Sequence, residues 1–238
     1  LGTLAPDGAR RRLTLQRAGG DGALSARVVV VAAGLGAVPE GRGPGQGSPP
    51  RPPDTAGPGG RRGQVAADSR IGVGAAFSHP GEAYPRGVIH MVAGDAGYVG
   101  LVRTEEGGLN VAGALDPGFV RAHGGPGPAV SAHLAAAGAP GLPDAPAEGW
   151  RGTPALTRRP SRIAGARFFR VGDNAGYVEP FTGEGMAWAL AGAAGLAPLV
   201  RAGAAAWTPE LADRWTRWHA RGIGGRQRIC RGIAWLSR

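Results

Sequence analysis

The chain has 238 residues, among them 45 glycines and 21 prolines, and its 27 basic residues, all arginine, outnumber 17 acidic ones for a net charge of +10. A single cysteine, Cys230, excludes an intrachain disulfide framework and fits a reducing compartment. No unbroken run of about 18 apolar residues suggests a spanning helix, and no signal peptide is visible, so a cytoplasmic location is expected.

Such a length can bury one or two cores. Glycine, alanine and arginine use matches what a very GC-rich genome would encode. The positive balance raises anionic partners: a dinucleotide, acidic lipid or nucleic acid.

Residues 1–33 read as strands. Leu13-Thr14-Leu15 is a short alternating run after the Asp7-Gly8 turn signal, and Asp21-Gly22 marks a second turn. Ala26 to Ala33, ARVVVVAA, is a β-branched run expected to form a central strand buried on both faces, ending at Gly34-Leu35-Gly36. Residues 39–65 are dominated by glycine and proline. They bury too little apolar surface to offset their ordering entropy, and read as a disordered loop.

Residues 69–116 change character. Strands are expected at Ser69 to Phe77, Gly87 to Val92, Gly97 to Arg103 and Gly108 to Leu115, separated by His79-Pro80-Gly81, Gly94-Asp95 and Glu105-Glu106-Gly107-Gly108. This spacing implies an antiparallel meander. Residues 117–136 read as a helix with Asp116 as N-cap and Pro117 at its first position, interrupted between Gly124 and Pro128.

Arg167 to Leu190, RFFRVGDNAGYVEPFTGEGMAWAL, organises the chain. Phe168 to Val171 is a short apolar run expected to be a buried parallel strand, ended by Gly172-Asp173. A loop through Pro180 leads to Thr182, the expected N-cap, and a helix opening at Gly183, Gly185 and Met186. The two glycines leave the first turn without bulk. Unpaired N–H groups and the positive end of the helix dipole then face a ligand.

The pair Gly172-Asp173-Asn174-Ala175 and Pro180-Phe181-Thr182-Gly183-Glu184-Gly185 resembles the second FAD-binding motif of the flavoprotein family of aromatic-ring hydroxylases and geranylgeranyl reductases. The fuller string is closer to the geranylgeranyl-reductase side. The resemblance implies FAD as cofactor, with Asp173 accepting from the ribityl chain and the helix start near Gly183 facing the flavin pyrimidine edge. Gly34, Gly172, Asp173, Pro180, Thr182, Gly183, Gly185 and Met186 are the cofactor-binding candidates it marks. NAD(P)H stays open as electron donor.

By the same resemblance the fold is α/β. A partial Rossmann-like FAD-binding domain, parallel sheet plus helices, is joined to an antiparallel β substrate domain. The bounds are 1–38 for the end of the first FAD-binding unit, 39–65 for the loop, 66–150 for the substrate domain, 151–203 for the second FAD-binding segment and 204–238 for a basic helix. His90, Met91, Tyr98 and Arg103 are candidates to line the substrate pocket. The substrate is expected to be a small apolar molecule, isoprenoid-like or aromatic (polyketide included). Reduction and hydroxylation stay open; the Ala33-Gly34 pair, where hydroxylases carry Asp-Gly, tilts mildly against hydroxylation. The family's Gly-x-Gly-x-x-Gly segment does not open this sequence, which is therefore read as a fragment.

No catalytic residue is marked. The five histidines lack ligand spacing, so no metal is expected. The alternative reading is a catalytically inactive remnant acting as a basic binding module. It draws on the last helix, where Trp215, Trp218, Ile229, Ile233 and Leu236 lie beside a stripe of Arg214, Arg217, Arg221, Arg228 and Arg231. That helix, expected to break near Gly222 to Gly225, is also the candidate for peripheral membrane contact. No recognition motif supports nucleic acid.

Overall fold

The computed structural model describes residues 4–7, 9–15, 20–35, 63–78, 83–142, 146, 148–179 and 183–236. Most of the glycine- and proline-rich loop, with Pro180 and Thr182, lies outside the described residues. In chain order the elements are β1 (Leu4–Asp7), β2 (Arg10–Leu15), β3 (Gly22–Ala26), β4 (Val29–Val31), β5 (Gln64–Val65), β6 (Ile71–Phe77), β7 (Ile89–Gly94), β8 (Gly97–Arg103), β9 (Leu109–Leu115), α1 (Pro117–Ala122), α2 (Pro126–Ala136), β10 (Arg151–Ala155), β11 (Arg158–Arg159), β12 (Ala164–Gly165), β13 (Phe168–Arg170), a 3-10 turn (Gly172–Ala175), α3 (Gly185–Ala205) and α4 (Pro209–Leu236). They gather into two units: Leu1–Gln64 with Arg158–Cys230, and Val65–Thr157 with Arg231–Arg238.

In the first unit β13 pairs parallel with β4, Phe168 to Val29 through Arg170 to Val31, and antiparallel with β12. Neighbours along a strand point to opposite faces, yet Phe168 and Phe169 are both buried, so both faces of this sheet are covered. Phe169 packs with Val171, Leu196, Leu199, Leu211 and Trp215 on the helical side. Phe168 packs with Val31 and Leu13 on the hairpin side, where the Arg11 guanidinium lies 5.0 Å from its ring centre. The central strand expected over Ala26 to Ala33 contracts to Val29–Val31. Ala26 ends β3, a bend follows, and β13 is the only strand pairing with β4 among the described residues. β-Branching favours extension, but cross-strand partners make a strand central, and Val30 stays partly exposed.

α3 runs unbroken through Pro198 for 21 residues. By length and composition alone it is long and apolar enough to cross a membrane, although Pro198 and Arg201 interrupt its apolar run. Trp188, Gly192, Leu196, Leu199 and Gly203 form its buried stripe. Its glycines make room for indoles: Gly192 meets Trp215 and Ile223, Gly195 lies under Trp218, and Gly203 lies under Trp207. α4 does not break at Gly222 to Gly225. Leu211, Trp215, His219, Ile223, Gln227 and Cys230 form one continuous buried stripe, and that packing outweighs a cost of about 1 kcal/mol per glycine.

The second unit is an antiparallel sheet in the order β10-β6-β9-β8-β7: β7, β8 and β9 form the expected meander, but β6 pairs with β9 rather than with β7. Val73, Phe77, Val99, Leu101, Leu109, Val111 and Leu115 pack against Val120, Ala129, Val130 and Leu134 of α1 and α2. Asp116 caps α1 as expected, its Oδ1 accepting from Phe119 N at 2.9 Å, and the helix breaks at His123–Gly125. Strand register separates the four pocket candidates. Met91 and Tyr98 share one face, since Met91 faces Gly100 and Ala93 faces Tyr98. His90 and Arg103 share the helix-covered face with Leu101 and Leu109. There His90 meets Tyr84 edge to face at 5.3 Å.

Gly97 sets this register. It sits at φ 141°, and a Cβ there would stand 2.0 Å from the Ala114 carbonyl oxygen. Gly97→Ala is expected to lower unfolding stability by at least about 3 kcal/mol, since fixed backbone cannot yield as a side chain can. Urea unfolding followed by circular dichroism measures it, with Gly87→Ala, whose added Cβ meets nothing, as the milder comparison.

Candidate functional site

The site is built where β4 and β13 end, at the carboxyl edge of a parallel pair, where open α/β sheets place ligands. A left-handed glycine follows each strand, Gly172 at φ 60° two residues after β13 and Gly34 at φ 57° three residues after β4. That conformation releases the chain from the sheet at once, and a side chain would oppose it. Asn174, in the turn after Gly172, joins the two ends: its Nδ2 donates to Gly34 O at 3.4 Å, and its Oδ1 accepts from Arg170 Nη1 at 3.1 Å. Arg158 donates to Leu35 O beside them.

Beyond Gly172 the chain lines a small, partly open cleft. Gly172, Asp173, Tyr177, Val178 and Glu179 form one wall; Glu184, Gly185, Trp188 and Ala189 of the α3 entry form the second; His219, Ile223 and Gln227 of α4 form the third. Gln227 Nε2 donates to Gly176 O at 3.1 Å, and the Cys230 thiol donates to Glu184 Oε2 at 3.1 Å. α4 therefore fixes both the loop and the start of α3. Glu184 holds the N-cap position without a side-chain cap bond, so the first-turn N–H groups keep their donors for a ligand. Added Cβ atoms at Gly183 and Gly185 would meet nothing, which leaves open space at that helix end. The Trp188 indole N–H is buried with no hydrogen-bond partner among the described residues.

Burial governs the electrostatics. It raises the Asp173 carboxyl. It also pushes the Tyr177 phenol up to about 12, helped by the Asp173 and Glu179 carboxylates. Burial, then Arg159, pushes His219 down to about 4. At neutral pH Tyr177 keeps its proton and His219 stays uncharged. Burial thus favours the neutral forms of both side chains.

The structure thus brings Gly172, Asp173 and Gly185 into one cleft and links Gly34 to it through Asn174. Gly183 sits just before α3. Met186 points out, 80% exposed, because helix phase turns it away when Gly185 faces the cleft. Tyr177, Glu179, Glu184, Trp188, His219 and Gln227 were not marked by the sequence reading. Their signal was present: two carboxylates inside the motif, and two polar residues eight apart on the buried stripe of α4. Among the described residues no three His, Cys, Asp or Glu side chains gather as a metal site.

The fold is that of solved flavin-dependent enzymes. The chain is similar to the flavin-dependent brominase Bmp2, with a TM-score of 0.68 at 12% identity, covering 98% of this chain and 57% of that one. It is similar to a flavoprotein/dehydrogenase from Cytophaga hutchinsonii, with a TM-score of 0.66 at 16% identity, covering 96% and 54%. It is also similar to p-nitrophenol 4-monooxygenase PnpA from Pseudomonas putida DLL-E4, with a TM-score of 0.55 at 15% identity, covering 90% and 50%. The chain thus spans about half the length of these neighbours. No protein-family model matches the chain, and no curated protein matches it by sequence.

The depressed His219 titration gives stability a pH dependence. The unfolded imidazole binds a proton below about 6.5, whereas the folded one resists it down to about 4. This contribution is therefore present above about pH 6.5 and lost as pH falls towards 4. Between pH 7.5 and 5 the native chain should lose about 2 kcal/mol more than His219→Gln, measured by urea midpoints at each pH.

Proposed function

We propose that this chain carries the flavin-side half of the cofactor site of an FAD-dependent oxidoreductase, built on a partial Rossmann-like domain. The observation that carries the reading is one arrangement: a strand ending at Gly172, the Asp173 carboxylate beside it, and an α3 N-terminus left open at Gly183 and Gly185. It matches the needs of a polyhydroxylated chain attached to a flat ring with carbonyl oxygens. Asp173 accepts from the hydroxyls; the first N–H groups of α3 donate to the carbonyl edge. The buried Trp188 N–H, without a partner among the described residues, fits a wall facing an acceptor-rich ligand. When bound, the flavin supplies hydride or oxygen transfer.

This chain's residues bind, orient and exclude water. Tyr177 and His219 do not titrate near neutrality, so no side-chain acid or base is assigned. The proposed substrate is a small apolar or aromatic molecule, with NAD(P)H as electron donor and a cytoplasmic location. The halogenase and monooxygenase names among the structural neighbours favour oxygen-using chemistry on an aromatic ring over double-bond reduction of an isoprenoid.

Purified chain incubated with FAD and freed of unbound ligand should keep flavin bands near about 375 and 450 nm. Asp173→Ala should weaken that binding roughly 10- to 100-fold, the effect of losing hydrogen bonds to a charged acceptor. Anaerobic bleaching by NADPH or NADH checks the donor. A native chain that stays colourless, alone and when extended by a Gly-x-Gly-x-x-Gly βαβ unit, sinks the reading.

A further inference from the structure

α4 divides its residues between two faces. The inner stripe from Leu211 to Cys230 is buried. On the opposite side Arg214, Arg217, Arg221 and Arg228 recur at intervals of three, four and seven residues, and all four are exposed. At about 100° per residue they fall within an arc of about 60°, on a ridge about 21 Å long. None of them makes an ion pair among the described residues. The acidic residues of the helix, Glu210 and Asp213, sit at its beginning, and none follows Asp213 in the sequence. Trp218, 40% exposed, and Ile229, 66% exposed, flank the ridge on one side.

We propose that this face of α4 docks on an anionic lipid surface, with the helix axis in the membrane plane. The four guanidiniums meet lipid phosphates, Ile229 enters the boundary of the acyl region, and the exposed edge of the seated Trp218 ring lies against it. The inner stripe remains packed, so docking requires no unfolding. Two observations favour lipid over nucleic acid. The apolar flank gains nothing against a phosphate backbone but is buried at a bilayer interface. Trp218 is already stacked on Trp215 at 5.4 Å and 14° and seated over Gly195, so its ring is not free to stack on a base. The assignment is independent of the flavin site.

The test sediments the full chain with vesicles of phosphatidylcholine alone or with roughly 30% phosphatidylglycerol, at about 0.1 M salt. Binding is expected on the anionic vesicles and should be weaker by at least about 100-fold on the neutral ones, at roughly fivefold per arginine. The combined Arg214→Glu, Arg217→Glu and Arg221→Glu variant should lose about 100-fold or more. A charge-matched control, Arg10→Glu, Arg121→Glu and Arg201→Glu, should change binding only severalfold. Circular dichroism checks that both variants fold, and Ile229→Asp is a second probe of the apolar flank, expected to weaken binding without changing net charge as far. No binding to anionic vesicles, equal binding to both vesicle types, an equal loss in the control, or tighter binding to duplex DNA at the same salt overturns the proposal.

Discussion

The Trp215 indole is the contact on which the first unit depends. It is fully buried, its Nε1 donates to the Arg170 carbonyl at 3.0 Å, and its ring lies against Gly192. One side chain thus ties the last residue of β13 to α3 and α4. The bond matters because Arg170 ends the three-residue central strand of this sheet just before the site. A buried carbonyl left without a donor there would cost about 1–3 kcal/mol. An indole satisfies it while supplying the largest apolar surface available. Only small residues on α3 let so large a group approach, so Gly192 and Gly195 follow from the choice of tryptophan on α4.

From this anchor the cleft is determined. With α4 held against β13, the next turns of the same buried stripe present His219, Ile223, Gln227 and Cys230 to the loop and to the start of α3. Gln227 holds Gly176, and Cys230 holds Glu184. The loop from Gly172 to Glu179 is short of regular structure, and α4 supplies what a sheet would otherwise give it. His219 is neutral for the same reason: the wall that positions the site excludes the water that would stabilise its charge.

Local signals made the motif legible. Glycine at the end of an apolar run, an acidic residue, then glycines opening a helix all act through neighbouring residues, and β13 and the turn stand where those signals put them, while α3 opens two residues late, at Gly185 behind Glu184 rather than at Gly183 behind Thr182. Asp116 capping α1 is the same kind of success. Where partners far along the chain decide, the sequence was silent. ARVVVVAA specifies extension but not who pairs with Val29–Val31. The glycines at 222, 224 and 225 weaken an isolated helix, yet the stripe through Ile223 and Gln227 holds this one together. His90 and Met91 are adjacent letters of similar promise. Register alone sends one to the covered face and the other to the open face.

The charge of the chain follows the same division between local and distant causes. Arginine is abundant throughout, so composition alone gives the count no meaning. Position gives it one. Arg11 is spent on the Phe168 ring and Arg170 on Asn174, each tied to the parallel pair. Along α4 the inner stripe is closed to charge, and the one titratable base on it, His219, is kept neutral by burial. The guanidiniums of Arg214, Arg217, Arg221 and Arg228 therefore project together from the opposite side, with carboxylates only at the first turns, Glu210 and Asp213. A helix that must be apolar inside to hold the cleft becomes, with arginine as its default polar residue, a cationic ridge outside. The cleft and the ridge are two consequences of one amphipathic segment, and a change to the phase of that stripe would disturb both at once.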